Sequence, residues 1–302
     1  MLVITTLGRL QRRSVTTARR VAAQVAAAWY TTVARFGRRP VTDAAESIVV
    51  SLTSHGDRLG TVHLTIESIA RGSTRPGRLV LWLDPDQDQD TLPEPVRRLV
   101  DRGLEIRNSE WDIGPHNKYL PAVSEPELPE VPLVTADDDL FYPRRWLELL
   151  VRASSETPDL VVAHRVRELL LDDEGQLAPY HRWPLARGTG AAVTRFPTGC
   201  SGALYPVDVQ LHLRALGRSF ASCCPQADDL WLHHETVRSG SCARQVRARA
   251  RTFLEVPGTQ AQALNHDNTG KNANDDQARA TYSQLVLELL RAGRTGTPGL
   301  RP

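Results

Sequence analysis

Three aspartates stand side by side in Val134-Thr-Ala-Asp-Asp-Asp-Leu-Phe-Tyr-Pro143, at the end of an apolar run. Neighbouring ionised carboxylates repel, so Asp137, Asp138 and Asp139 need something positive among them. Oxygen ligands of this kind suit a hard cation, Mg²⁺ or Mn²⁺, which keeps open positions for phosphate oxygens. Such an ion offsets the charge that develops on a departing diphosphate. Asp-x-Asp alone is common in surface turns. Here a buried run precedes it and an aromatic, a proline and a helical pattern follow, a setting that favours a metal-binding strand end over a solvated turn.

A second acidic pair lies in Ala227-Asp-Asp-Leu-Trp231. One aspartate at a helix start is explained by capping and by the helix dipole. Two of them, Asp228 and Asp229, following the turn Pro197-Thr-Gly-Cys-Ser-Gly-Ala-Leu-Tyr-Pro206 and the Cys223-Cys224-Pro225 bend, fit a base poised at a cleft. A carboxylate that takes a proton from a sugar hydroxyl performs ordinary general-base chemistry.

The intervening sequence must hold these groups together. Ser47–Thr53 is a short apolar run that ends in Ser-His-Gly, as a buried parallel strand would. Apolar residues at Leu59, Val62, Ile66 and Ile69 predict a helix over 58–71, and Leu79–Leu83 a second strand ending at Asp84. A helix over 92–102, a strand over 104–107, a strand over 131–136 and a helix opening at Pro143 complete an α/β alternation. Leu160–Ala163 reads as another strand, 172–198 as loop, and 228–238 and 276–291 as helices. Alternation with short connections means a mostly parallel sheet covered by helices, with ligands at the carboxyl ends of the strands. His55-Gly56-Asp57, Asp84 and the three aspartates all fall at such ends.

The 302 residues, 41% hydrophobic and 24% charged, are enough for a large soluble core without staples. Four irregularly spaced cysteines offer neither a disulfide framework nor a Cys-x-x-Cys pair, so free thiols in a reducing, cytoplasmic compartment are expected. No stretch reaches the roughly 18 apolar residues of a membrane span. Lys118 and Lys271 are the only lysines among 37 basic residues. Residues 1–46 hold eight arginines (9, 12, 13, 19, 20, 35, 38, 39) against Asp43 and Glu46, around a mildly apolar helical stretch at 21–30. Peripheral contact with an anionic inner membrane face and a solvated or partner-binding extension are both open for it. The expected organisation is therefore a basic helical extension over 1–46, an α/β domain over 47–291 and a flexible tail over 292–302. Arg247, Arg249 and Arg251 alternate as if on one strand face, either solvated or meeting an anionic acceptor or lipid.

Taken in order, "VSLTSHGDRLGTVHLTIESI", "LVLWLD", "HNKYLPAV", "VTADDDLFYPRRWLELL", "FPTGCSGALYP" and "ADDLWL" resemble the nucleotide-sugar glycosyltransferases of the GT-A fold. Over about residues 47–240 they resemble in particular a bacterial polysaccharide-locus group that itself resembles the large inverting family of cellulose and chitin synthases. The resemblance implies a Rossmann-like, mostly parallel sheet, a UDP-type sugar donor, and a glycan or lipid-linked acceptor in envelope polysaccharide synthesis. It matches Asp137 and Asp139 to the ends of the Asp-x-Asp motif, with Asp139 on the metal and Asp137 and Asp138 toward ribose and ion. It puts Thr53 and Ser54 at the nucleotide base, Asp84 at the uracil or ribose, and Lys118 at the nucleotide or its phosphates. Asp229 matches the second residue of the pair that supplies the base, and the Asp-Asp form here leaves Asp228 as an alternative. Gly199 and Gly202 would let backbone approach the donor sugar, Trp183 would stack on an acceptor ring or fill the core, and His266, with Lys271, would close over the metal.

The Gln-x-x-Arg-Trp acceptor motif of processive synthases is absent, which favours single addition. A nucleotidyltransferase would use the same acidic logic, but "TSHGDRLG" is a poor phosphate loop. An inactive membrane-associated scaffold conflicts with two intact acidic pairs. Nucleic-acid binding is not expected, because the basic residues are not interleaved with stacking aromatics.

Overall fold

The computed structural model describes residues 2–126, 131–259 and 273–294, with side chains from Thr16 onward. Its centre is a sheet of seven strands among the described residues. Four form the first block: β1 (Val49–Thr53), β2 (Arg78–Leu83), β3 (Leu104–Asn108) and β4 (Leu133–Ala136). A small strand, β5 (Leu140–Phe141), follows outside the main sheet, then β6 (Val161–Ala163) within it. The antiparallel pair of β7 (Val166–Glu168) and β8 (Arg195–Pro197), joined by a long connection, is followed by β9 (Ala203–Tyr205), β10 (Ala243–Gln245) and a last short strand, β11 (Leu254–Glu255). The order across the main sheet is β10-β6-β9-β4-β1-β2-β3. All neighbours are parallel except β9, which runs against both β4 and β6. The mostly parallel, helix-flanked α/β sheet expected from the alternation is present.

Burial explains why these runs read as continuous rather than alternating. Side chains of β1 pack on both faces: Val49 joins Val80, Trp82, Leu133 and Val161 in one apolar layer, while Val50 and Leu52 join Leu79, Leu81, Val134 and Val162 in the other. A strand covered by helices on both sides is apolar at most positions, and a polar exception such as Ser51 is bonded, its hydroxyl accepting from the Trp82 indole N–H at 3.1 Å.

The helices are α1 (Leu2–Phe36), α2 (Val62–Ala70), α3 (Glu94–Val100), α4 (Leu120–Ser124), α5 (Trp146–Glu156), α6 (Val207–Leu216), α7 (Asp228–Arg238), α8 (Ala273–Thr281) and α9 (Gln284–Arg294). Helix α7 has the bounds expected from the sequence. Elsewhere the expectations shift. The first turn of the 58–71 helix is a separate 3₁₀ turn, Gly56–Gly60. Pro143 precedes α5 rather than opening it, and its carbonyl accepts from the Trp146 N–H at 2.8 Å. The single helix expected over 276–291 is two, because Tyr282 and Ser283 turn inward to bond His233 (2.6 Å) and His234 (3.1 Å) of α7. Residues 246–248 bend, so Arg247, Arg249 and Arg251 are exposed but share no strand. Helix α6 has no counterpart in the sequence reading.

Because β9 is reversed, its N-terminal end lies beside the C-terminal ends of β4 and β6, pairing Ala203 with Thr135 and with Ala163. The turn before β9 therefore opens onto the same sheet edge as the three aspartates. Gly202 in that turn has φ +85°, and a Cβ there would lie 2.6 Å from the Trp146 indole. The indole N–H in turn donates to the Ser201 carbonyl at 2.9 Å. Gly202 was expected to make room for a donor sugar; what approaches it is Trp146. Gly202→Ala is expected to cost roughly 2 kcal/mol or more, from a disfavoured backbone region together with overpacking. Urea denaturation checks this: an unchanged midpoint would mean the turn relaxes freely.

Candidate functional site

The Asp137–Asp139 stretch leaves β4 with its side chains facing alternately. Asp137 and Asp139 are partly exposed at the rim, whereas Asp138 points inward and is buried. Alternation carried on past the end of β4 accounts for this and leaves the outer two carboxyls toward solvent. Asp138 is then a brace, not the ribose or ion contact expected of it. Its two oxygens accept from the Arg58 guanidinium and from the Ser54 hydroxyl, each at 2.6 Å, and its carbonyl accepts from Thr65 at 2.8 Å. Ser54 is occupied in the same bond. Arg58 also reaches Asp139 at 3.2 Å.

A second cation serves the other side. Lys118, nearly buried, lies 3.0 Å from Asp137 and 2.8 Å from Asp228. Its segment, the 3₁₀ turn Gly114–Lys118, leads into α4, and Tyr119 fixes that turn in the core beneath. Burial alone would lower the ammonium pKa, but Asp137, Asp228 and Asp229 together hold it well above its usual value. Lys118 therefore joins the two acidic pairs that lie some ninety residues apart in sequence (137 and 228).

Asp228 and Asp229 begin α7 but differ in surroundings. Asp228 is buried and held by Lys118; Asp229 is partly exposed. The Gly199 N–H donates to Asp229 Oδ1 at 2.9 Å. A Cβ on Gly199 would stand 2.9 Å from both that oxygen and Lys118 Nζ, so glycine is required for this approach. The Asp229 carboxyl is pushed up to about 7, first by burial and then by Asp228, against the pull of Lys118. Asp139 is likewise pushed up to about 7 by burial and by Asp137 and Asp138, against Arg58.

The structure thus brings Asp137, Asp138, Asp139, Asp228, Asp229, Lys118, Ser54 and Gly199 to one rim. Thr53 stands at the same edge, its hydroxyl donating to the Trp82 carbonyl at 3.0 Å. Asp84 follows β2, partly buried, with its carboxyl raised by burial and by Asp112 and lowered by His55. Trp183 is buried among Tyr180 and Phe196 and cannot stack on an acceptor. His266 and Lys271 lie outside the described residues. Sequence reading missed Arg58, although an arginine just past the first strand was the available signal. It also missed Tyr142, whose hydroxyl accepts from the Asp137 N–H at 2.8 Å and fixes the backbone of the acidic turn.

Among the described residues, no three carboxylate, histidine or cysteine side chains stand ready together as a metal cage. The electrostatics still fit an added cation. Arg58 and Lys118 bond to the aspartates of this rim among the described residues, and burial together with the neighbouring carboxylates raises Asp139 and Asp229, a setting that an added positive charge would relieve. The donors are hard carboxylate oxygens, as Mg²⁺ or Mn²⁺ prefers.

No protein-family model matches the chain. No curated protein matches it either. Among solved structures it is similar to the crystal structure of GalNAc-T7 with UDP, GalNAc and Mn²⁺, at 12% identity and a TM-score of 0.46. That likeness covers 68% of this chain and 42% of the other, so the chain spans less than half of that structure. It is also similar to 4-diphosphocytidyl-2C-methyl-D-erythritol synthase from Anaerococcus prevotii, at 12% identity and a TM-score of 0.46, over 77% of this chain and 99% of that one.

Proposed function

We propose that the chain is a metal-dependent glycosyltransferase that moves a sugar from a UDP-type donor to a hydroxyl acceptor with inversion. The observation that supports this best is the bridge Asp137–Lys118–Asp228, in which one cation joins the start of α7 to the acidic turn after β4. Of the two residues at the start of α7, Asp229 is the base: it is accessible and free of the ammonium bridge, whereas Asp228 is committed to Lys118. Asp229 takes the proton of the acceptor hydroxyl as that oxygen attacks the anomeric carbon from the face opposite the leaving group. The Gly199 N–H keeps the Asp229 carboxylate oriented. Lys118 and Arg58 lend positive charge to the diphosphate at this acidic rim. A Mn²⁺ or Mg²⁺ ion held by Asp139 and Asp137 would supply further charge stabilisation for the leaving nucleoside diphosphate. Thr53 and Asp84, on neighbouring strand ends, line the place for the nucleotide base and ribose. A cytoplasmic enzyme adding single sugars to a glycan or lipid-linked acceptor of the cell envelope fits this site.

A donor screen tests the reading. Nucleoside diphosphate release is expected with Mn²⁺ or Mg²⁺ and not with EDTA. Asp139→Asn is expected to lower turnover by at least about a hundredfold without unfolding the protein. Wild-type rates in that variant would remove the metal role, and release of pyrophosphate would identify a nucleotidyltransferase instead.

A further inference from the structure

Helix α1 is apolar on two opposite faces. The inner face is docked: Ala23, Val33 and Ala34 are buried, Tyr30 stacks on Phe141 with centroids 5.4 Å apart, and Arg19 donates to the Phe253 carbonyl at 2.8 Å. The outer face carries Val21, Val25, Trp29 and Phe36, which are 59, 65, 57 and 70% exposed. At about 100° per residue, these four lie within an arc of about 80°, opposite Ala23 and Tyr30. Single exposed apolar residues are ordinary, but four on one face over about four turns, interrupted by Thr32, are not.

The charge around the stripe is one-sided. Residues 2–36 contain no aspartate or glutamate, and Arg20, Arg35, Arg38 and Arg39 are exposed beside or just beyond the stripe. The Arg35 guanidinium lies 5.4 Å from the Phe36 ring and that of Arg71 lies 5.6 Å from Trp29. Aromatic rings paired with arginines along an apolar stripe suit the headgroup region of a bilayer, where rings meet acyl chains and guanidinium groups meet phosphate. No described helix is long and apolar enough to cross a membrane. The mode of binding is therefore lying on it.

We propose that α1 rests in the plane of an anionic bilayer surface, with Val21, Val25, Trp29 and Phe36 facing the acyl boundary and its arginines on lipid phosphates. A nucleic acid would draw the arginines but give no reward for covering the valines. A second copy of the chain would cover the stripe but bring two all-basic helices together. The bilayer satisfies both features. The helix also lies next to a segment that touches the acidic turn: α1 and Leu254–Gly258 line a half-open groove of about 620 Å³, and Val256 of that segment donates its N–H to the Asp139 carbonyl at 2.7 Å. This docking stands on α1 alone and holds whether or not the acidic rim transfers sugar.

The test is co-sedimentation of the full chain with vesicles of phosphatidylcholine alone or with about a third phosphatidylglycerol. The anionic vesicles are expected to pellet the protein and the neutral ones to do so poorly. The double variant Val25→Glu with Trp29→Glu is expected to bind anionic vesicles at least about tenfold more weakly, with an unchanged circular dichroism spectrum and melting temperature. A second measurement needs no disruptive change: the emission of the wild type should shift to the blue on anionic vesicles, and that of Trp29→Phe should not. The proposal is overturned if the wild type stays in the supernatant, if the double variant pellets like the wild type, or if no Trp29 shift occurs. It is also overturned if a mixed-sequence DNA or RNA duplex binds while vesicles do not, or if the double variant only breaks a dimer.

Discussion

Asp229→Asn is expected to reduce sugar transfer by about 10²–10⁴-fold while making the free protein more resistant to heat at pH 8. Both effects come from one carboxyl. In the proposed role of general base it would act only when ionised, and burial with Asp228 nearby has pushed it up to about 7. The rate should therefore rise with pH through about 7. The stability effect has the opposite sense. A carboxyl raised in the folded state contributes stability that is fully present below its unfolded value, near 4, and is lost as pH rises through about 7. At pH 8 the wild type carries an ionised, half-buried carboxylate beside Asp228. Asparagine removes that charge and can still accept the Gly199 N–H, for a gain on the order of 1 kcal/mol. Initial rates between pH 5.5 and 9 and melting temperatures at pH 5 and 8 decide the matter. A variant that keeps its rate, or a flat pH profile across 7, would sink Asp229 as the base.

Lys118→Met should be the most damaging single change in the site. It leaves Asp137, Asp228 and Asp229 without their shared cation, and removing one partner from a buried ionic group typically costs about 3–5 kcal/mol. The charge itself, rather than the length of the side chain, is at issue, so adding Asp228→Asn to Lys118→Met should recover part of the loss. Chemical denaturation of the two single variants and the double variant gives the coupling directly. If Lys118→Met unfolds at the wild-type midpoint, the ammonium is not the hub that the geometry makes it.

Periodicity carried much of the architecture. Short apolar runs bounded by glycine and aspartate predict strands buried on both faces, and β1, β2, β3, β4 and β6 lie within two or three residues of those runs. The 228–238 helix has the same bounds in both because two acidic residues open it and its apolar pattern ends at Arg238. The errors have physical causes too. The break at Tyr282–Ser283 comes from hydrogen bonds to His233 and His234, contacts 49 residues distant that no local pattern can announce.

From its sequence alone, this protein has its layered α/β order, the strand ends that bear carboxylates, and an arginine-rich start without acidic residues. These follow from local rules: period, turn chemistry and composition. Tertiary structure decided which charges meet. It reversed β9, which brings Gly199 to Asp229; it chose Arg58 and Lys118 as counter-ions for the three aspartates; and it turned Asp138 inward and left Val21, Val25, Trp29 and Phe36 outward. Each depends on distance through space between residues far apart along the chain, and Coulomb and packing energies depend on that distance, not on separation in sequence.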